Sequence, residues 1–233
     1  MNRNARWLDT WQKMANMDDA FCTMGRSAYT ITDYFKYLSN IATGLGQINQ
    51  SDRLLDMAGG AGYIAMYFSP LVAAVDSFDY ASDMIKKSKS ICSGFNNITP
   101  YVDNLLTLDE TKAKGHLYNK AVLGGALQLF EDYAEVKLIL QHLFDVMTLG
   151  GQAIVTHNTD ITLKQAHIES YDLLDWSKEK INEALKAEQD RLWMDFQQVK
   201  EIALTVGFKE CYKQDIHPEL FQSSHMFDFV LVK

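Results

Sequence analysis

The sequence predicts an α/β fold: a mainly parallel sheet of seven strands with helices on both faces, finished by an antiparallel strand pair. Three observations carry this. Five short apolar, strand-like segments alternate with helical ones, as parallel sheets require. The last two strand-like segments have no helix between them, so they can pair antiparallel. The chain has 233 residues, 47% hydrophobic and 22% charged, which suits one globular domain with a sizeable core.

Taken in order, residues 1–50 read as an aromatic, helical lid. In "ITDYFKYLSNIATGL", Ile31, Tyr34, Phe35, Leu38 and Ile41 fall at helical spacing. Strands are expected at Arg53–Met57, Val72–Phe78, Ile98–Val102, Tyr118–Leu123 and Gln152–His157. Before the last of these, Val136, Ile139, Leu140, Leu143 and Met147 share one helical face, and Gly150–Gly151 is the expected helix stop. Residues 51–158 thus form the core of the sheet. Residues 159–192 are long and helical and read as an inserted cap. In 193–233 a stripe of Phe196, Val199, Ile202, Ala203 and Val206 is stopped by Gly207 and followed by the strands "FKECYKQD" and "MFDFVLVK".

Composition excludes several classes. A net charge of −8 repels nucleic-acid phosphates in bulk, and the cluster Lys86, Lys87, Lys89 reads as a solvated face. Three dispersed cysteines make neither a CxxC site nor a disulfide framework, and no metal-ligand spacing stands out. No stretch reads as a signal peptide or membrane span, so a cytoplasmic protein is expected, without nucleic-acid or membrane partners.

The segment "LLDMAGGAGYIA" (54–65) reads as a strand, a glycine-rich turn and a helix start, a place where backbone cradles a ligand. It is no P-loop, because Tyr63-Ile64 follow Gly62 where a Lys-Ser/Thr pair is needed. "GAGYIA" does match the dinucleotide fingerprint, with Asp79 downstream as its acid. Asp56, just before the turn, argues against it: a carboxylate there repels a pyrophosphate but suits a ligand bearing an ammonium and a sulfonium.

On these residues the chain resembles the class I S-adenosylmethionine-dependent methyltransferases of small-molecule type, whose first motif "LLDMAGGAG" (54–62) fits. The resemblance implies a Rossmann-like fold, S-adenosylmethionine as cofactor and methyl transfer as the activity. It assigns Asp56, Ala58, Gly59, Gly60 and Gly62 to the first motif. It makes Asp79, twenty-three residues after Asp56, the ribose-binding acid, with Tyr80 beside it and Met84 at the start of the next helix. Asp76 is the nearby competitor. Asp103 and Asn104 fall where the family faces the adenine, and Gly124–Gly125 where it faces the methyl donor. "FDVMTLGGQAIV" (144–155) is similar to the family's turn into strand five, with Thr148 and Leu149 as departures. Lys120 and Gln128 depart too, standing where Asp and His are frequent.

Such chemistry needs donor and acceptor held in line, and a hydroxyl acceptor benefits from a positioned base. His157, at the end of strand five, is the expected base, though the same position suits a strand cap. Arg26, Tyr29, Gln128, His167, Trp176 and His225 are the further acceptor-side candidates. His116, His142 and His217 read as surface or structural. The acceptor is expected to be a small molecule, methylated on a hydroxyl or other oxygen, with an amine as the alternative. A non-catalytic cofactor binder, a nicotinamide-dependent oxidoreductase and a homodimer stay open.

Overall fold

Apolar residues on both sides of the inner strands give the middle of the sheet two buried faces. Leu54 and Leu55 are both fully buried but belong to opposite layers, as the two-residue period of a strand dictates. The computed structural model describes residues 3–233, with side chains from residue 7 onward. Residues 1–2 of the expected lid lie outside the described residues.

The strands are β1 (Arg53–Met57), β2 (Ala74–Asp79), β3 (Ile98–Val102), β4 (Tyr118–Gly124), β5 (Met147–Thr159), β6 (Glu210–Gln214) and β7 (Met226–Val232). They form one seven-stranded sheet in the order β3-β2-β1-β4-β5-β7-β6. The first five run parallel, and β7 is antiparallel to both β5 and β6. The expected fold class is the observed one. Strand order reverses between β1 and β4, where open α/β sheets bind their ligands.

The helices are α1 (Arg3–Ala15), α2 (Ala20–Thr23), α3 (Ile31–Leu45), α4 (Tyr63–Phe68), α5 (Ser82–Ile91), α6 (Asp109–Ala113), α7 (Tyr133–Val146), α8 (Lys164–Ser170), α9 (Lys178–Gln189) and α10 (Phe196–Val206). Helices α3, α7, α9 and α10 start on side-chain caps. Thr30 and Asp33 form a reciprocal capping box on α3, and Asp132 accepts the Ala134 and Glu135 amides of α7. Tyr37, Ile41 and Leu45 of α3 pack with Ala65 and Phe68 of α4 over one face of the sheet. Ile139 and Leu143 of α7 pack with Val199 and Ala203 of α10 over the other.

Four expectations need correction. β2 starts at Ala74, because Ser69–Leu71 turn as a short 3₁₀ helix around Pro70. α7 stops at Val146, ahead of the glycines: Met147 already pairs with Tyr118, and Gly150, at φ +75°, sits in a bulge of β5. On α3 the buried stripe runs through Tyr34, Tyr37, Leu38 and Ile41, while Ile31 and Phe35 are more than half exposed. Lys87 is not a solvated charge, since it donates to the Met17 carbonyl and to Thr23 Oγ1 and ties α5 to α2.

Lys120, the departure in β4, is buried and donates to the Leu45 carbonyl at 2.6 Å. It thereby satisfies one of the orphan carbonyls at the end of α3. No helix among the described residues is long and apolar enough to cross a membrane.

Candidate functional site

A cavity of about 460 Å³ opens at the carboxyl ends of β1, β2 and β4, beneath the N-terminal segment and the cap. Its floor is the glycine turn after β1. Gly59 fits only because it lacks a side chain: a Cβ there would lie 2.3 Å from Ser77 Oγ and 2.5 Å from Asp56 Oδ2. Gly60 is left-handed, at φ +56°, and a Cβ there would meet nothing within 4 Å. Asp79 closes the turn from β2. Its Oδ2 accepts the Gly60 amide at 3.0 Å and its Oδ1 the Ala81 amide at 2.8 Å. Burial pushes its carboxyl up to about 6, against the pull of those amides.

Ala58, Gly59, Gly60, Asp79, Tyr80, Asp103, Asn104, Gly124 and Gly125 all line the cavity. Tyr80 stands half-exposed at its rim. Asp103 spends its carboxylate on the protein: Oδ2 accepts from both the amide and the hydroxyl of Thr111, and Oδ1 from the Asn104 amide. Asp76, the competitor to Asp79, lies in a separate buried cluster with Arg53, Lys114 and Tyr118.

Four expected residues lie off the cavity wall. Asp56 is fully buried beneath the glycine turn, where Oδ2 accepts from Ser77 Oγ at 3.0 Å and Oδ1 has no partner. Burial raises its carboxyl to about 7, opposed by the Ser77 bond. It supports the turn rather than facing a ligand. Gly62 serves packing, because a Cβ there would lie 2.5 Å from Ser88 Oγ of α5 and 2.7 Å from Sγ of Cys92, the residue that caps it. Met84 is buried against Ala81 and Ala15 under α1. Trp176 sits on the outside of the cap, with the Lys180 ammonium 3.8 Å above its ring.

The acceptor side is built from the lid, the end of β5 and the cap. His157 adopts a left-handed backbone, at φ +57°, and Asp228 Oδ1 accepts its amide at 2.6 Å. Its ring stacks on Tyr37 with centroids 4.6 Å apart, and its Nδ1 lies 3.2 Å from Arg26 Nη2. A guanidinium only donates, so Nδ1 accepts and the imidazole proton sits on Nε2. Burial and the Arg26 charge hold His157 well below its ordinary value. The expected general base is therefore a neutral ring whose accepting nitrogen is already occupied. In this geometry His157 is a donor.

Across the cavity, His167 and His225 stack with centroids 3.8 Å apart. Burial and the neighbouring His167 push His225 down to about 3. Glu188 lies 3.7 Å from His167 Nε2 and 3.3 Å from Arg191 Nη1, and its Oε2 has no partner. Burial favours the neutral acid, but the His167 contact and the Arg191 charge override it and keep Glu188 below the ordinary value. Tyr29 donates to Gln222 Oε1 at 2.7 Å, and Gln128 reaches the Gly125 carbonyl only at 3.4 Å.

Tyr34, Tyr37, Glu188, Arg191 and Tyr171 are wall residues that sequence reasoning did not single out. Tyr34 was legible only as part of the α3 stripe, and Tyr37 fell outside the stripe expected from the sequence. The cap residues carry no motif, and their convergence is a product of the fold. Among the described residues no cluster of metal-ligating side chains occurs.

The residues present fit an adenosyl cofactor. The glycine turn gives close backbone approach, Asp79 retains accepting lone pairs at the end of β2, and Gly124–Gly125 leave the end of β4 open.

No protein-family model matches the sequence, and no curated protein sequence matches it. Solved structures do share its architecture. The N-methyltransferase NodS from Bradyrhizobium japonicum WM9, in complex with S-adenosylhomocysteine, superposes with a TM-score of 0.65 at 10% identity, covering 96% of each chain. Magnesium protoporphyrin IX methyltransferase (ChlM) from Synechocystis PCC 6803, with S-adenosylhomocysteine bound, gives 0.64 at 12% identity over 99% of this chain and 96% of that one. The DhpI-SAM-HEP complex gives 0.64 at 15% identity over 98% and 96%. The chain thus has the fold of the class I methyltransferases.

Proposed function

We propose that the protein is an S-adenosylmethionine-dependent methyltransferase acting on a small molecule, with residues 1–233 working as one catalytic domain. The observation that carries this is Asp79: a carboxylate at the end of β2, bonded to the glycine-turn amide of Gly60, on the wall of a cavity at the strand-order switch. That is where an adenosyl ribose would present its two hydroxyls. The neighbours of the same fold, solved with S-adenosylhomocysteine or S-adenosylmethionine bound, support the reading.

The cofactor would supply an electrophilic methyl group on a sulfonium. This chain's residues hold the reactants in line and exclude water, the main requirement for such a displacement. Gly124 and Gly125 would let the donor approach the β4 backbone, and Tyr29 and Tyr37 would cover it from the lid. The unpartnered donors His157 Nε2 and Arg26 Nε on the acceptor side favour an oxygen as the acceptor atom. With His157 a donor, that oxygen is one ionised before it binds, such as a phenolate or carboxylate, and needs no proton removed in the site. Methylation of an amine is the second reading, favoured by the unpartnered Oε2 of Glu188 on the opposite wall.

Calorimetric titration with S-adenosylhomocysteine and with NAD tests the cofactor. Binding of the first and not the second is expected, and the reverse would make the chain an oxidoreductase. Radiolabelled methyl transfer into fractionated small-molecule pools tests the activity. Tight cofactor binding with no transfer to any fraction would leave a non-catalytic binder.

A further inference from the structure

The polar atoms around Arg26 form an unbalanced set. Arg26 Nη1 donates to the Met24 carbonyl at 3.0 Å and Nη2 to His157 Nδ1. The guanidinium carbon lies 4.4 Å over the Tyr37 ring and 5.8 Å from that of Tyr29. Among the described residues no carboxylate comes within 4.0 Å of it. Asp228, the nearest acid by electrostatic influence, spends its oxygens on the His157 amide and on Asn40 Nδ2 at 2.8 Å. On the far wall, Glu188 and Arg191 cancel one another.

Three atoms here lack any hydrogen-bond partner: Arg26 Nε, His157 Nε2 and Tyr34 Oη. All three can donate. A guanidinium nitrogen never accepts, the His157 tautomer places its proton on Nε2, and the buried Tyr34 phenol keeps its proton at neutral pH. Tyr34 belongs to the same group, since its ring is 6.1 Å from the Tyr37 ring that Arg26 and His157 both cover. A buried charge and buried donors left unmatched are costly. One kind of partner satisfies them together.

We infer that Arg26, with Tyr34 and His157 as additional donors, holds an anionic group of the methyl acceptor, a carboxylate or a phosphate-type oxyanion. The inference rests on the methyltransferase reading and names the acceptor class for that same site. Planar, bidentate recognition of such groups is what a guanidinium does best. The same chemistry could come from the cofactor's own carboxylate. The contacts of Arg26 favour the acceptor: they are to the lid and to His157 at the end of β5, with none to the glycine turn or to Asp79.

The test uses the full chain saturated with S-adenosylhomocysteine, titrated with phenylphosphonate and with benzoate. Saturable binding of at least one is expected, weakened about tenfold or more in Arg26→Gln and partly restored in Arg26→Lys. Tyr34→Phe, which removes a single hydroxyl and keeps the ring, should weaken the same anion about threefold. S-adenosylhomocysteine affinity should stay within about threefold of wild type in all three variants, which also reports that they are folded. Absence of saturable anion binding to the loaded wild type, or binding indifferent to both Arg26→Gln and Tyr34→Phe, overturns the inference. A tenfold loss of S-adenosylhomocysteine affinity in Arg26→Gln assigns the guanidinium to the cofactor carboxylate instead. A wild type that binds no S-adenosylhomocysteine fails at the earlier step and removes the methyltransferase reading itself.

Discussion

Asp79 Oδ2 accepts the amide of Gly60 at 3.0 Å, so the end of β2 and the turn after β1 are one hydrogen-bonded unit. Displacement of either partner moves the other.

Burial of the same carboxylate gives cofactor affinity a pH dependence. The Asp79 carboxyl, raised to about 6, must be ionised to accept two hydroxyls. Affinity for S-adenosylhomocysteine should be level from pH 8 to 7 and fall below pH 6, approaching about tenfold per unit. Asp79→Asn should bind weakly and lose the dependence. Calorimetry across that range decides it, and a level wild-type profile down to pH 5 would remove Asp79 from the ribose.

Stability of the ligand-free chain should run the other way. Asp56, Asp79 and Asp228 are all raised by burial, to about 7, 6 and 7. A carboxyl raised above its unfolded value takes up a proton on folding. Its contribution is therefore full below about pH 4 and lost as pH rises through 6 to 7. His157 and His225, both held below their unfolded value, push stability the opposite way over the same interval, so the readout is the difference between wild type and Asp228→Asn. Between pH 5 and pH 8 the variant should lack the Asp228 share of the downward slope, and identical melting-temperature slopes in both chains would show that Asp228 is ionised in the fold.

The two turn glycines should respond differently to one added methyl. Gly59→Ala drives a Cβ into Ser77 and Asp56 and should cost about 1–3 kcal/mol, with loss of cofactor affinity as the turn shifts. Gly60→Ala meets open space and should cost only the strain of its left-handed backbone, about 1 kcal/mol. Denaturant unfolding of both variants compares the two costs directly.

His157 should contribute no limb to the pH–rate profile between pH 6 and 9, because its proton equilibrium lies well below that window. His157→Asn, which tolerates a left-handed backbone, should lower kcat without reshaping the profile. Disappearance of a limb in that variant would restore the base.

The sheet was legible because strands buried on both faces read as apolar runs between glycine-rich breaks. The glycine turn and Asp79 were legible because their chemistry is local in sequence. Asp56, Gly62 and Met84 show the limit of that reading. A motif places a residue at a strand end or helix start, but the direction of its side chain depends on what packs there: Ser77 beneath Asp56, α5 against Gly62, α1 over Met84. His157 shows another limit. Its tautomer is set by Arg26, 131 residues away, which no local pattern encodes. The boundary between α7 and β5 was misplaced because Met147 satisfies both the helical stripe and pairing with Tyr118.

The cap leaves and rejoins the sheet at a single place. Asp160 bridges to Met194, Met194 donates to the Thr159 carbonyl, and Leu192 donates to Gln128. The intervening residues are thus an excursion whose two ends already touch, and lengthening such a loop adds little closure entropy. Lengthening or shortening its helices leaves this closing point in place. Inheritance of a new acceptor could proceed by rewriting this one excursion, while the machinery around Asp79 is passed on intact.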